Sequence, residues 1–80
     1  MTDTMDTGML WYDDDRQRTL EEKVRRAADY YRHKYGQTPN LCLIHPQAVN
    51  GGPHFVNTVK LETAPNILPH HFWIGVATTH

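Results

Sequence analysis

Residues 19–35 read Thr19-Leu-Glu-Glu-Lys-Val-Arg-Arg-Ala-Ala-Asp-Tyr-Tyr-Arg-His-Lys-Tyr35, and Gly36 follows. This stretch carries a start signal, an apolar stripe and a stop signal for one helix. Thr19 stands three residues before Glu22, so its hydroxyl can accept from the Glu22 amide while the Glu22 carboxylate reaches back to the Thr19 amide, a capping box. Leu20, Val24, Ala27, Ala28, Tyr31 and Tyr35 recur at helical spacing and form one stripe, which is expected to face a core. Gly36 offers the left-handed conformation that closes a helix, and Pro39 blocks continuation. The pattern predicts a helix that ends at Tyr35.

Strand signals flank it on both sides. Met9–Tyr12 is a run of large apolar residues stopped by Asp13, Asp14 and Asp15. Asn40–His45 is a short apolar run between Pro39 and Pro46, as in a buried strand, and Pro46–Val49 has proline where one helical turn would begin. Asn50-Gly51-Gly52-Pro53 reads as a loop. From Val56 to Thr63, Val59 and Leu61 alternate with Thr58, Lys60 and Glu62, the period of a strand with one solvated face. Pro65 and Pro69 make 64–71 a connection, and Phe72–Ala77 reads as a last strand that is apolar on both faces. The expectation is a small single-domain α+β fold, a sheet of about four strands with one main helix packed on one face, in the order strand, helix, strand, strand, strand. Residues 1–8 read as a disordered polar tail and 9–80 as the domain.

Eighty residues make one domain with a modest core, for which association into a homodimer would help. The formal charge is −1, so no bulk attraction to nucleic acid or membrane is implied. Its distribution is uneven: residues 1–15 hold five aspartates and no Lys or Arg, whereas residues 16–36 hold seven basic and three acidic residues. The single cysteine, Cys42, excludes an intrachain disulfide and fits a reducing, cytoplasmic setting. The N-terminal residues lack the charged and apolar regions of a signal peptide, and no apolar run approaches the ~20 residues of a membrane span.

Six histidines are dense for this length, and neutral imidazole is a good metal ligand. His45, His70 and His71 are the candidates, with Cys42 three residues before His45. In a regular strand that offset puts Cys42 and His45 on opposite faces, and the adjacent His70 and His71 likewise point apart, although one of them could meet His45 across strands. Loop histidines and a strand-end His45 are the plain alternative. Asp13–Asp15 could hold a divalent cation, but they also precede a helix N-terminus, where negative charge is favoured without further purpose. Lys60 and Glu62 match the strand of metal-dependent nucleases too loosely to use. Cys42 sits in an apolar run, where a thiol is usually an inert small hydrophobe, and no phosphate loop, nucleophile elbow or CxxC pair is present. No cofactor is implied.

The basic residues of the helix largely avoid the apolar stripe. Lys23, Arg26 and Arg32 are the candidate binding cations, with Tyr30 beside them able to stack, and a solvated face neutralised by Glu21, Glu22 and Asp29 is the plain alternative. Tyr30-Tyr31-x-x-Lys34-Tyr35-Gly36, Leu41-Cys42-Leu43-Ile44-His45-Pro46 and Ile67 through Val76 together resemble a group of short uncharacterised bacterial proteins, over roughly residues 10–77. The resemblance implies a bacterial origin and brings no site residue with it. The sequence thus favours a non-enzymatic binding or protein-interaction module that self-associates or meets another protein. The alternatives are a small metal-dependent enzyme or nuclease, or nucleic-acid binding through the basic helix face.

Overall fold

In the computed structural model, which describes residues 3–49 and 54–79, the chain forms β1 (Asp3–Tyr12), α1 (Leu20–Tyr35), β2 (Leu41–Ile44), α2 (Pro46–Val49), β3 (Phe55–Val56), β4 (Val59–Thr63) and β5 (His71–Thr79). The helix begins and ends where its sequence signals lie. Thr19 Oγ1 accepts from the Glu22 amide at 3.1 Å, and the Thr19 amide donates to the Glu22 carboxylate at 3.1 Å. Gly36 closes the helix at φ 72°, its N–H donating to the Arg32 carbonyl at 2.8 Å. Acidic residues sit in the first turn and basic ones in the last, the arrangement the helix dipole favours.

The strands form one mixed sheet in the order β1-β5-β2-β4-β3. β5 pairs antiparallel with both β1 and β2, so those two run parallel with β5 inserted between them, and α1 carries the chain from one to the other. β2 and β4 pair in parallel, with α2 and β3 in the connection. β5 lies inside the sheet with a strand on each side, and Phe72 and Ile74 on its core face pack under α1.

The expected α+β sheet with one main helix is present, and its strands number five where about four were expected. The stretch read as one strand over 56–63 is a hairpin, in which Val56 pairs with Val59 across a two-residue loop and Asn57 adopts φ 54°. Asparagine tolerates that left-handed backbone better than most residues, and the turn splits the strand there. β1 starts at Asp3 rather than Met9, its polar first half held by the antiparallel ladder to β5, with a register shift between Met5 and Thr7. β2 covers Leu41–Ile44 of the apolar run, and Asn40 just before it still bonds both neighbours. Its amide donates to the Gly75 carbonyl at 3.0 Å and its carbonyl accepts from the Lys60 amide at 2.9 Å. Its side chain clamps β5, Nδ2 donating to the Ala77 carbonyl at 3.0 Å and Oδ1 accepting from the Ala77 amide at 2.7 Å. The loop read at residues 50–53 lies outside the described residues.

Side-chain alternation divides the sheet into two faces. Met9, Cys42, Ile44, Val56, Val59, Leu61, Phe72 and Ile74 are buried against Val24, Ala27 and Tyr31 of α1, and these residues form the core. Tyr35, the last residue of the stripe, stays partly exposed and packs its ring 4.7 Å from that of Tyr31. The opposite face carries Leu10, Leu41, Leu43, Phe55 and Trp73, and no element of the described chain lies over it.

Candidate functional site

Because Met9 points into the core, Trp11 two residues on points to the same side, at the edge of the sheet beside α1. There it meets Tyr30, with ring centroids 5.1 Å apart and planes tilted by 45°. Arg26, Asp29, Tyr30, His33 and Lys34 recur at three- and four-residue steps and so present one line of side chains to this edge. With Trp11 they line an open cleft of about 600 Å³. Asp29 is bound to Arg32 at 3.0 Å, which matches its charge and leaves Arg26 and Lys34 as the cations of the rim. The Trp11 indole N–H is buried and meets no acceptor among the described residues. An unpaired buried donor of this kind costs ~1–3 kcal/mol.

The three cations singled out in the sequence do not share one surface. Arg26 belongs to this cleft, Arg32 lines a small recess beside Pro39 and Val59, and Lys23 lies at the other end of the helix with His45 and His70. Helical geometry alone separates them, since a nine-residue offset from 23 to 32 turns the side chain to the opposite side.

His45 and His70 line one cleft of about 350 Å³ with Lys23, Leu20 and Phe72, so the structure brings these two histidines to a common place at the C-terminal end of β2. His45 Nδ1 accepts from the Gln47 amide at 3.1 Å and so caps α2. That bond places the proton of a neutral ring on Nε2, leaving no lone pair for a metal unless the cap breaks. His71 is turned to the other face, against Tyr12 at 4.9 Å. Its Nδ1 lies 2.8 Å from the Pro69 carbonyl and must donate, which leaves Nε2 as an acceptor. His70 adopts φ 66°, a strained backbone for a non-glycine residue, and its carbonyl accepts from the Asp13 amide.

The aspartates of the β1–α1 turn are engaged locally. Asp13 Oδ1 accepts from the Asp15 amide at 3.0 Å, and Arg18 bridges Asp13 at 3.4 Å and Asp15 at 2.7 Å. Asp14 accepts from the Tyr12 hydroxyl at 3.1 Å, and this bond holds the phenol above its ordinary pKa range. Among the described residues no three His, Cys, Asp or Glu side chains converge on a point where a metal ion could sit. Cys42 is fully buried in the core, and burial pushes its thiol up to about 12. A thiol so placed is neither nucleophile nor ligand at neutral pH.

In the sequence Trp11 is one of the large apolar residues of the run Met9–Tyr12, with nothing to mark it as part of a cleft. Its place in a cleft follows from which strand edge α1 lies beside, which is a property of the sheet order. The spacing of 26, 29/30 and 33/34 was the readable part of the signal. No family model, curated protein or solved structure matches the chain.

Proposed function

We propose that the protein is a binding module that works through the uncovered face of its sheet, and that the first occupant of that face is a second copy of the chain. The observation that carries this reading is a face with large apolar side chains over which no element of the described residues lies: Leu10 is 58% and Phe55 59% exposed, with Leu43 and Trp73 half-buried between them. A sheet is stable when both apolar faces find a layer, and α1 covers one only. Exposed apolar patches of this extent mark interaction sites on small domains.

The dimensions suit a weak homodimer. The five strands hold 10, 4, 2, 5 and 9 residues, which at about 3.3 Å per residue and about 4.8 Å between strands give a face of roughly 480 Å². That is below the ~800 Å² each partner contributes to a standard interface and on the scale of a transient one. Two copies packed face to face would make a layered helix, sheet, sheet, helix assembly with the aromatic residues at its centre. Lys60 and Glu62, paired at 3.5 Å on the same face, stand on β4 between Leu41 and Leu43 of β2 and Phe55 of β3, so the interface would enclose this ion pair, where charge sets register more than affinity.

Native mass spectrometry and sedimentation of the full chain test this. The expected result is a dimer that Leu10→Lys with Phe55→Lys converts to monomer without loss of fold, since both side chains are already exposed in the single chain. A wild-type chain that stays monomeric at about 100 μM, where even a weak interface of micromolar affinity would be filled, removes the second copy as occupant.

A further inference from the structure

The cleft between β1 and α1 lies on the helix side of the sheet, away from the proposed interface, and its composition is not that of a simple solvated helix face. Its back wall is aromatic, formed by Trp11 and the half-exposed ring of Tyr30. Its rim is cationic, because Arg32 takes up the charge of Asp29, while Arg26 and Lys34 meet no carboxylate among the described residues and Lys34 Nζ lies 5.4 Å from the centre of the Tyr35 ring. A volume of about 600 Å³ falls in the range of small-molecule sites, which are largely apolar with a few convergent polar groups.

We propose that this cleft binds a small aromatic anion of the mononucleotide class, with the base against Tyr30 and Trp11 and the phosphate held by Arg26 and Lys34. A bare anion would leave the aromatic wall unused, and a neutral ring would leave the two cations unused. Every base has a face that stacks on an aromatic side chain, and a guanidinium offers phosphate a two-pronged donor. The second carboxylate oxygen of Asp29, opposite the one Arg32 engages, is an acceptor for an exocyclic amine. The buried Trp11 indole N–H, behind this wall, meets no acceptor among the described residues. A nucleic-acid polymer is disfavoured by the net charge of −1 and by the acidic turn Asp13–Asp15, which follows Trp11 closely in the chain and repels an extended backbone.

The test uses the full chain with adenosine 5′-monophosphate, adenosine and inorganic phosphate as probes, read by saturation-transfer difference NMR and calorimetry. The monophosphate is expected to show transfer to its adenine protons and to bind at least about tenfold more tightly than adenosine. Arg26→Ala with Lys34→Ala is expected to remove most of that difference while leaving ring transfer in place, and Tyr30→Ala to remove the ring transfer. All three side chains are exposed, so these variants keep the fold, which thermal unfolding checks. Equal binding of the monophosphate and adenosine, unchanged transfer in Tyr30→Ala, or no transfer at about 1 mM monophosphate overturns the proposal.

Discussion

The indole of Trp73 lies directly over the backbone of Gly8: a Cβ added at Gly8 would stand 2.5 Å from Cε2 of that ring. The two residues are on neighbouring strands, where Gly8 pairs with Gly75 and Trp73 with Leu10. Glycine at position 8 therefore lets the largest side chain of the open face lie flat on the sheet. Gly8→Ala must push the ring away, and the expected cost is ~1–3 kcal/mol, the usual penalty of overpacking. Urea unfolding measures it. Alanine in a strand ordinarily gains over glycine, so a rise in stability would show that Trp73 does not rest there.

Thr19 and Glu22 satisfy one another's backbone donors at the start of α1. Thr19→Ala should lower stability by ~1 kcal/mol, a fall of roughly 4–8 °C in Tm for a domain of this size. Both residues are exposed, so packing adds little. A change below a degree by calorimetry would mean the first turn is held by its tertiary contacts alone.

Asp13 and Asp14 are adjacent and differ sharply in role. Asp13 is buried and accepts from the Asp15 amide, whereas Asp14 is exposed and meets only the Tyr12 hydroxyl. Asp13→Ala strands a backbone donor and is expected to cost ~1–3 kcal/mol, with Asp14→Ala near neutral. Equal effects of the two, measured by denaturant titration, would contradict a structural role for the turn. Addition of Mg²⁺ or EDTA is expected to leave both results unchanged.

The Cys42 thiol provides a pH signature. Its ordinary value is 9.0 and burial pushes it to about 12, so between those values the unfolded chain has lost a proton that the folded chain keeps. The stability from this group is complete below the unfolded value and declines as pH rises, by about 1.4 kcal/mol per pH unit across that window. Comparing wild type with Cys42→Ala isolates it from tyrosine and lysine titration. The wild type should lose more stability than the variant between the two pH limits, and its thiol should resist a disulfide reagent at pH 8 until the chain unfolds. Rapid native-state modification would place the thiol at the surface.

The sequence-level signals that held are local ones. Thr19, Glu22 and Gly36 act within a few residues of themselves, so the cap, length and stop of α1 were readable without a fold, as was Pro46 at the head of α2. Asn57 carried a turn signal inside a run of strand character, and so did the odd offset from Val56 to Val59, which breaks the period of two although both belong to the core face across the hairpin. The polar residues at the start of β1 have no strand pattern of their own and are ordered by β5 through backbone bonds, which no side-chain period records.

The candidate site divides along the same line. That Arg26, Asp29, Tyr30, His33 and Lys34 share a side of a helix is a matter of helical geometry and was contained in the chain. That Trp11 stands opposite them, that His45 meets His70 but not His71, and that Leu10, Trp73 and Phe55 share the face turned away from α1 were decided by the order β1-β5-β2-β4-β3. Strand order depends on which distant segments exchange backbone hydrogen bonds and bury common area, a sum over pairs far apart in sequence. Capping and periodicity are set by neighbours, and neighbours are what a sequence displays.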